Sequence, residues 1–214
     1  MTDPTANAAR DDLAFIRGLV SDGGQIQSSA GASLLAGGLC YGAQCIAQGL
    51  LMSFPARFPG REILQLIAAI LPTLVFLVLI TRISLRARRA VTGGGAGDGV
   101  ASRALGAAFG SMGLSVLVTG TVFGYVAIRE HSLTIWLFHP IMVCVAQGIG
   151  WFMASSIRRR GWYALVAAGW FVTALLLTVL MDNIAGYIIV IGAALLGLMA
   201  LPGWVLWRLA RVGG

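Results

Sequence analysis

The chain has 214 residues, 58% of them hydrophobic and 11% charged, with a mean hydropathy of +0.87. Soluble domains carry about 25% charged residues, so the composition sets the class as integral membrane and excludes a soluble domain. The net charge of +7 comes from 15 basic residues, all arginine. In a membrane protein such an excess reports topology and headgroup contact, so nucleic acid is not an expected partner.

Met1–Ala9 is polar and reads as disordered. Asp11–Val20 reads as a short amphipathic helix, with Leu13, Ile16 and Val20 on one face. Asp11 and Asp12 suit its N-terminal end, and Gly23-Gly24 is the expected stop. Too short to span, it is expected to lie in the cytoplasmic interface or to dock on a partner. The first 25 residues hold no apolar core long enough for a signal peptide.

A bilayer core about 30 Å thick takes roughly 20 apolar helical residues to cross. Six runs meet that length: 28–52, 63–83, 105–128, 133–157, 162–181 and 184–206. The expected fold is therefore an all-α polytopic bundle of six transmembrane helices in three hairpins, plus the N-terminal helix. The domains are 1–25, 26–209 and a tail, 210–214. Residues 54–60 form a turn, and Thr92–Gly99 is a flexible linker that lacks the phosphate-loop pattern. Pro72 interrupts span two. Pro140 either begins span four, with His139 as its cap, or kinks it. The prolines at 72, 140 and 202 do not recur in register, so no internal repeat is read.

Orientation follows from arginine. With both termini in the cytoplasm, twelve arginines lie inside (10, 17, 82, 86, 88, 89, 103, 158–160, 208, 211) and three outside (57, 61, 129). Arg82, Arg86, Arg88, Arg89 and Arg158, Arg159, Arg160 are candidate contacts for anionic headgroups.

Ionisable residues inside a membrane are costly and by default functional, yet no span carries one at its centre. That argues against an ion-coupled pump. Neutral polar groups instead gather in the outer half. Gln44, Gln48, Gln65, His139 and Gln147, with Asp182 at the rim, are the candidate lining of a shallow outer pocket; alternatively each glutamine bonds a neighbouring helix. Gly38/Gly42, Gly106/Gly110 and Gly120/Gly124 are small-xxx-small pairs that let spans one and three approach closely by van der Waals packing. Cys40, Cys45 and Cys144 read as small buried side chains, and Trp151, Trp162 and Trp170 as packing or belt residues. The sequence calls for no metal and no cofactor, and it shows no HExxH, catalytic serine or carboxylate pair.

Asp11-Asp12-Leu13-Ala14-Phe15-Ile16-Arg17, the glycine-rich first span, and Ala200-Leu201-Pro202-Gly203 with Arg208 resemble the two ends of small bacterial six-span inner-membrane proteins. The resemblance implies a bacterial plasma membrane. It implies no activity and transfers no functional residue. The expected function is a non-catalytic accessory, regulatory or sensory membrane component, in contact with lipid and with a protein partner in the membrane or at the N-terminal helix. The alternatives are a transporter or channel for a neutral or apolar solute, and a membrane enzyme using His139.

Overall fold

One helix, α1, runs from Pro4 to Ser53. It passes through Gly23-Gly24, so Asp11–Val20 is not a separate element and residues 4–9 are helical. Two glycines cost a helix only about 1 kcal/mol each, and no proline or αL cap accompanies them to end it. A segment with no break has no turn through which to fold back along the bilayer surface.

The computed structural model describes residues 4–54, 61–91 and 100–212. The 55–60 turn, the 92–99 linker and the extreme ends lie outside these, as do the side chains of Arg88 and Arg89 and the surroundings of Gly106. After α1 come α2 (Arg61–Val91), α3 (Val100–Arg129), α4 (Leu133–Arg158), α5 (Gly161–Val179) and α6 (Ile184–Leu195). A π-helical turn, Leu196–Ala200, joins α6 to α7 (Leu201–Val212). The described residues contain no strand. Six stretches are long and apolar enough to cross a membrane: 29–53, 62–86, 110–129, 133–158, 161–179 and 184–211. The chain is an integral, multi-pass membrane protein built as a helical bundle.

Short connections make successive spans alternate in direction. Arg82, Arg86, Arg158–Arg160, Arg208 and Arg211 therefore share one end, and the 130–132 and 180–183 turns share the other. Each described turn is closed by specific chemistry. His131 and Arg159 adopt positive φ (48° and 49°) after α3 and α4. Asn183 caps α6 by accepting from the Gly186 N–H at 3.1 Å.

The sixth span is not a uniform helix. Pro202 lacks the N–H that would reach the Leu198 carbonyl, and its ring would crowd that carbonyl in a regular α-helix. The π-turn just before it supplies room, and the Leu201 N–H reaches back to the Leu196 carbonyl. In α4 the cap is Ser132 and the helix begins at Leu133. Pro140 is thus internal to span four, and His139 is not a cap.

Packing orders the helices as α2, α1, the α6–α7 span, α5, α4, α3, with α2 and α3 making at most marginal contact with each other. The core lies between α4, α5 and α6, around Trp151, Tyr163, Trp170, Leu177 and Tyr187. Trp162 and Tyr163 stack at 4.0 Å, and Trp151 lies 5.6 Å from Tyr163. Spans one and three do not pack extensively on each other. A glycine stripe on α1 meets the sixth span instead. A Cβ on Gly31 would sit 2.6 Å from the Trp207 nitrogen, and one on Gly38 would sit 2.5 Å from the Ala200 nitrogen. From the other side, a Cβ on Gly203 would sit 2.5 Å from the Leu35 nitrogen. Because lipid tails are as apolar as leucine, close backbone approach of this kind is what holds helices together in a bilayer.

Candidate functional site

The polar residues singled out from the sequence fall into two sets. Gln44 and Gln48 are on α1, and Gln65 is on α2. His139 and Gln147 are on α4, and Asp182 is in the turn after α5. Helix α1 packs on α2 and the sixth span, whereas α4 packs on α3 and α5. The helix order thus separates the glutamines of α1 and α2 from His139 and Gln147. The amide oxygens of Gln44 and Gln147 are buried with no hydrogen-bond partner among the described residues. Asp182 is exposed, and so is Glu130, which pairs with Arg129 at 3.6 Å.

His139 is the best-defined polar group within a span. It lies six residues into α4, about 9 Å along the axis at 1.5 Å per residue. Its Nε2 lies 3.1 Å from the Val116 carbonyl of α3. A carbonyl cannot donate, so Nε2 carries a proton and is the donor. The ring stacks on Trp136 at 5.3 Å. Gly120 makes room, since a Cβ there would sit 3.1 Å from Nε2; Gly124 likewise faces Trp136. The glycines of span three near His139 therefore receive side chains of α4, whereas Gly110 has nothing packed over it.

Among the described residues the hydrogen-bond partner of His139 is a main-chain carbonyl. The arrangement ties α3 to α4, its only extensive neighbour among the described residues. His139→Ala is expected to lower stability by about 0.6–1.7 kcal/mol, the range of interhelical hydrogen bonds in membranes, read as an earlier unfolding midpoint in micelles. An unchanged midpoint would show that the contact does not hold α3. Among the described residues no group of three or more His, Cys, Asp or Glu is placed to hold a metal ion.

A second polar contact was not legible in the sequence. The Tyr187 hydroxyl on α6 donates to the Leu137 carbonyl of α4. One residue earlier, Pro140 removes the N–H that would serve the Trp136 carbonyl, while α4 stays continuous. The one available signal is general: a tyrosine hydroxyl within an apolar span needs an acceptor.

No family model, curated protein or solved structure matches the chain.

The outer helices leave a broad lateral surface. No residue in the spanning stretch of α2 or α3 is fully buried, against 39% of that of α5, although one side of each is partly covered by α1 or α4. Leu66, Leu71, Leu74 and Leu77 stand exposed on α2, and Leu114, Leu117, Tyr125 and Ile128 on α3. Four hydroxyls on these helices bond within their own helix: Thr73 donates to Ala69, Thr81 to Leu77, Ser115 to Ser111 and Thr121 to Leu117. Those groups thus meet an apolar surround with their hydrogen bonds made.

Proposed function

We propose that the chain is a non-catalytic accessory, regulatory or sensory component of a bacterial inner membrane, with both termini in the cytoplasm, that docks on a protein partner through α2 and α3. The observation that carries this reading is that neither span has a fully buried residue in its membrane stretch, each packs extensively on one neighbour only among the described residues, and the two stand at the two ends of the helix order. An enclosed solute path needs walls on every side, and here the ring of spans is not closed between α2 and α3. A partner helix there would gain packing that lipid tails match only loosely.

The test places a photo-crosslinking amino acid at Leu74, at Leu117 and at the buried Leu177 in native membranes. The expected result is a discrete protein adduct from Leu74 or Leu117 and none from Leu177. Lipid adducts alone at both exposed positions would overturn the reading.

A second reading, a transporter or channel for a neutral or apolar solute, draws on the buried, unpartnered amide oxygens of Gln44 and Gln147. It requires water to reach Cys144, one turn from Gln147. Protection of Cys144 from aqueous thiol reagents counts against it.

A further inference from the structure

An apolar groove of about 460 Å³ opens between α1 and the sixth span, lined by Leu35, Leu39, Leu196, Gly197, Ala200, Leu201 and Trp204. Its volume lies within the roughly 300–1,000 Å³ of ligand-binding pockets. Three features define it. Its floor runs along the π-turn from Leu196 to Trp204, about 12 Å at 1.5 Å per residue. Gly197 leaves it open, since a Cβ there meets nothing within 4 Å. That contrasts with Gly38 and Gly203, whose missing side chains are filled by backbone across the interface.

The third feature is charge at the rim. Trp204 lines the groove, and the Arg208 guanidinium lies over its ring, 5.3 Å from the centroid. Arg211 lies over Trp207 at 3.8 Å. Both arginines are exposed, and among the described residues neither is held in an ion pair with a carboxylate. An apolar slot with the Arg208 guanidinium at its rim, paired with no carboxylate among the described residues, fits an acyl chain carrying an anionic headgroup. Arginine's planar fork suits phosphate oxygens, and basic sites between transmembrane helices bind anionic headgroups.

We propose that this groove is a specific site for one anionic phospholipid of the surrounding leaflet, with an acyl chain against Gly197 and its phosphate on Arg208. The site is distinct from the arginines of the α2 and α4 termini, and it does not depend on what meets α2 and α3.

The experiment is native mass spectrometry of the full chain released from nanodiscs of phosphatidylcholine containing a minor fraction of phosphatidylglycerol. The wild type is expected to retain one phosphatidylglycerol in preference to phosphatidylcholine. R208Q is expected to lower that preference about fivefold, the factor that follows from one arginine at an anionic surface. G197L fills the slot without meeting other atoms at its Cβ and is expected to abolish the retained lipid with the unfolding midpoint preserved. R129Q, at the opposite end of the bundle on α3, is expected to leave retention unchanged. Equal retention of the two lipids by the wild type would overturn the proposal, as would wild-type retention in both R208Q and G197L. A protein adduct displacing lipid from the groove would overturn it as well.

Discussion

Gly38→Ala is expected to destabilise the folded protein by about 2–3 kcal/mol, at the upper end of what overpacking costs in a close-packed interior. The new Cβ would lie 2.5 Å from the Ala200 nitrogen and 2.8 Å from its Cα. Those are main-chain atoms, so no rotamer change relieves the clash and the two helices must separate. Separation also withdraws the opposing contacts, because Gly203 meets the Leu35 nitrogen in the same seam. Gly42→Ala is the internal comparison. Its nearest neighbours are Cγ and Cδ2 of Leu196, at 2.7 and 2.8 Å, and the nearest main-chain atom is the Gly192 carbonyl oxygen at 3.2 Å, much farther than the main chain that meets Gly38. A leucine side chain can move, and a loss below about 1.5 kcal/mol is expected. Unfolding midpoints of the two variants in the same detergent decide the matter. A Gly38 variant no weaker than the Gly42 variant would mean that backbone approach does not define this seam.

Trp151→Ala is expected to cost about 3 kcal/mol. Trp151 is only 1% exposed and stands between the α4 and α5 backbones, against Trp162 and Tyr163. Truncating a buried tryptophan costs about 3–5 kcal/mol in aqueous cores, as a transfer term plus a cavity term. In a bilayer the transfer term shrinks, because the unpacked helix still faces hydrocarbon, while the lost dispersion contacts remain. The lower end of the range follows. A loss under about 1 kcal/mol would indicate that the helices collapse into the vacated volume.

The spans were legible because a bilayer imposes a length and a charge rule on sequence. The 133–157 and 162–181 stretches, separated by three arginines, became α4 and α5 with the turn at Arg159. Helix neighbours were not legible. Gly38 and Gly42 announce that something approaches closely, but the sequence does not say which helix. Topology supplied the sixth span, and Gly31 and Gly49 belong to the same stripe although they form no four-residue pair. The continuity of α1 through Gly23-Gly24 was hidden because glycine weakens a helix without forbidding it. The π-turn was hidden because Pro202 looks the same in sequence whether the helix breaks or widens. Among the candidate site residues, His139 stood out as the single histidine within a span. Its partner, a main-chain carbonyl of α3, leaves no trace in residue type. The groove at Gly197 was invisible for a related reason: a glycine that keeps space open and a glycine that is packed over read alike.

The most direct test of the accessory reading is native mass spectrometry of what leaves the membrane with the chain in mild detergent. A protein partner at fixed stoichiometry is expected, lost when α2 and α3 carry bulky substitutions at Leu74 and Leu117. Release of the chain with a neutral small molecule and no protein would contradict it and direct attention to Gln44 and Gln147.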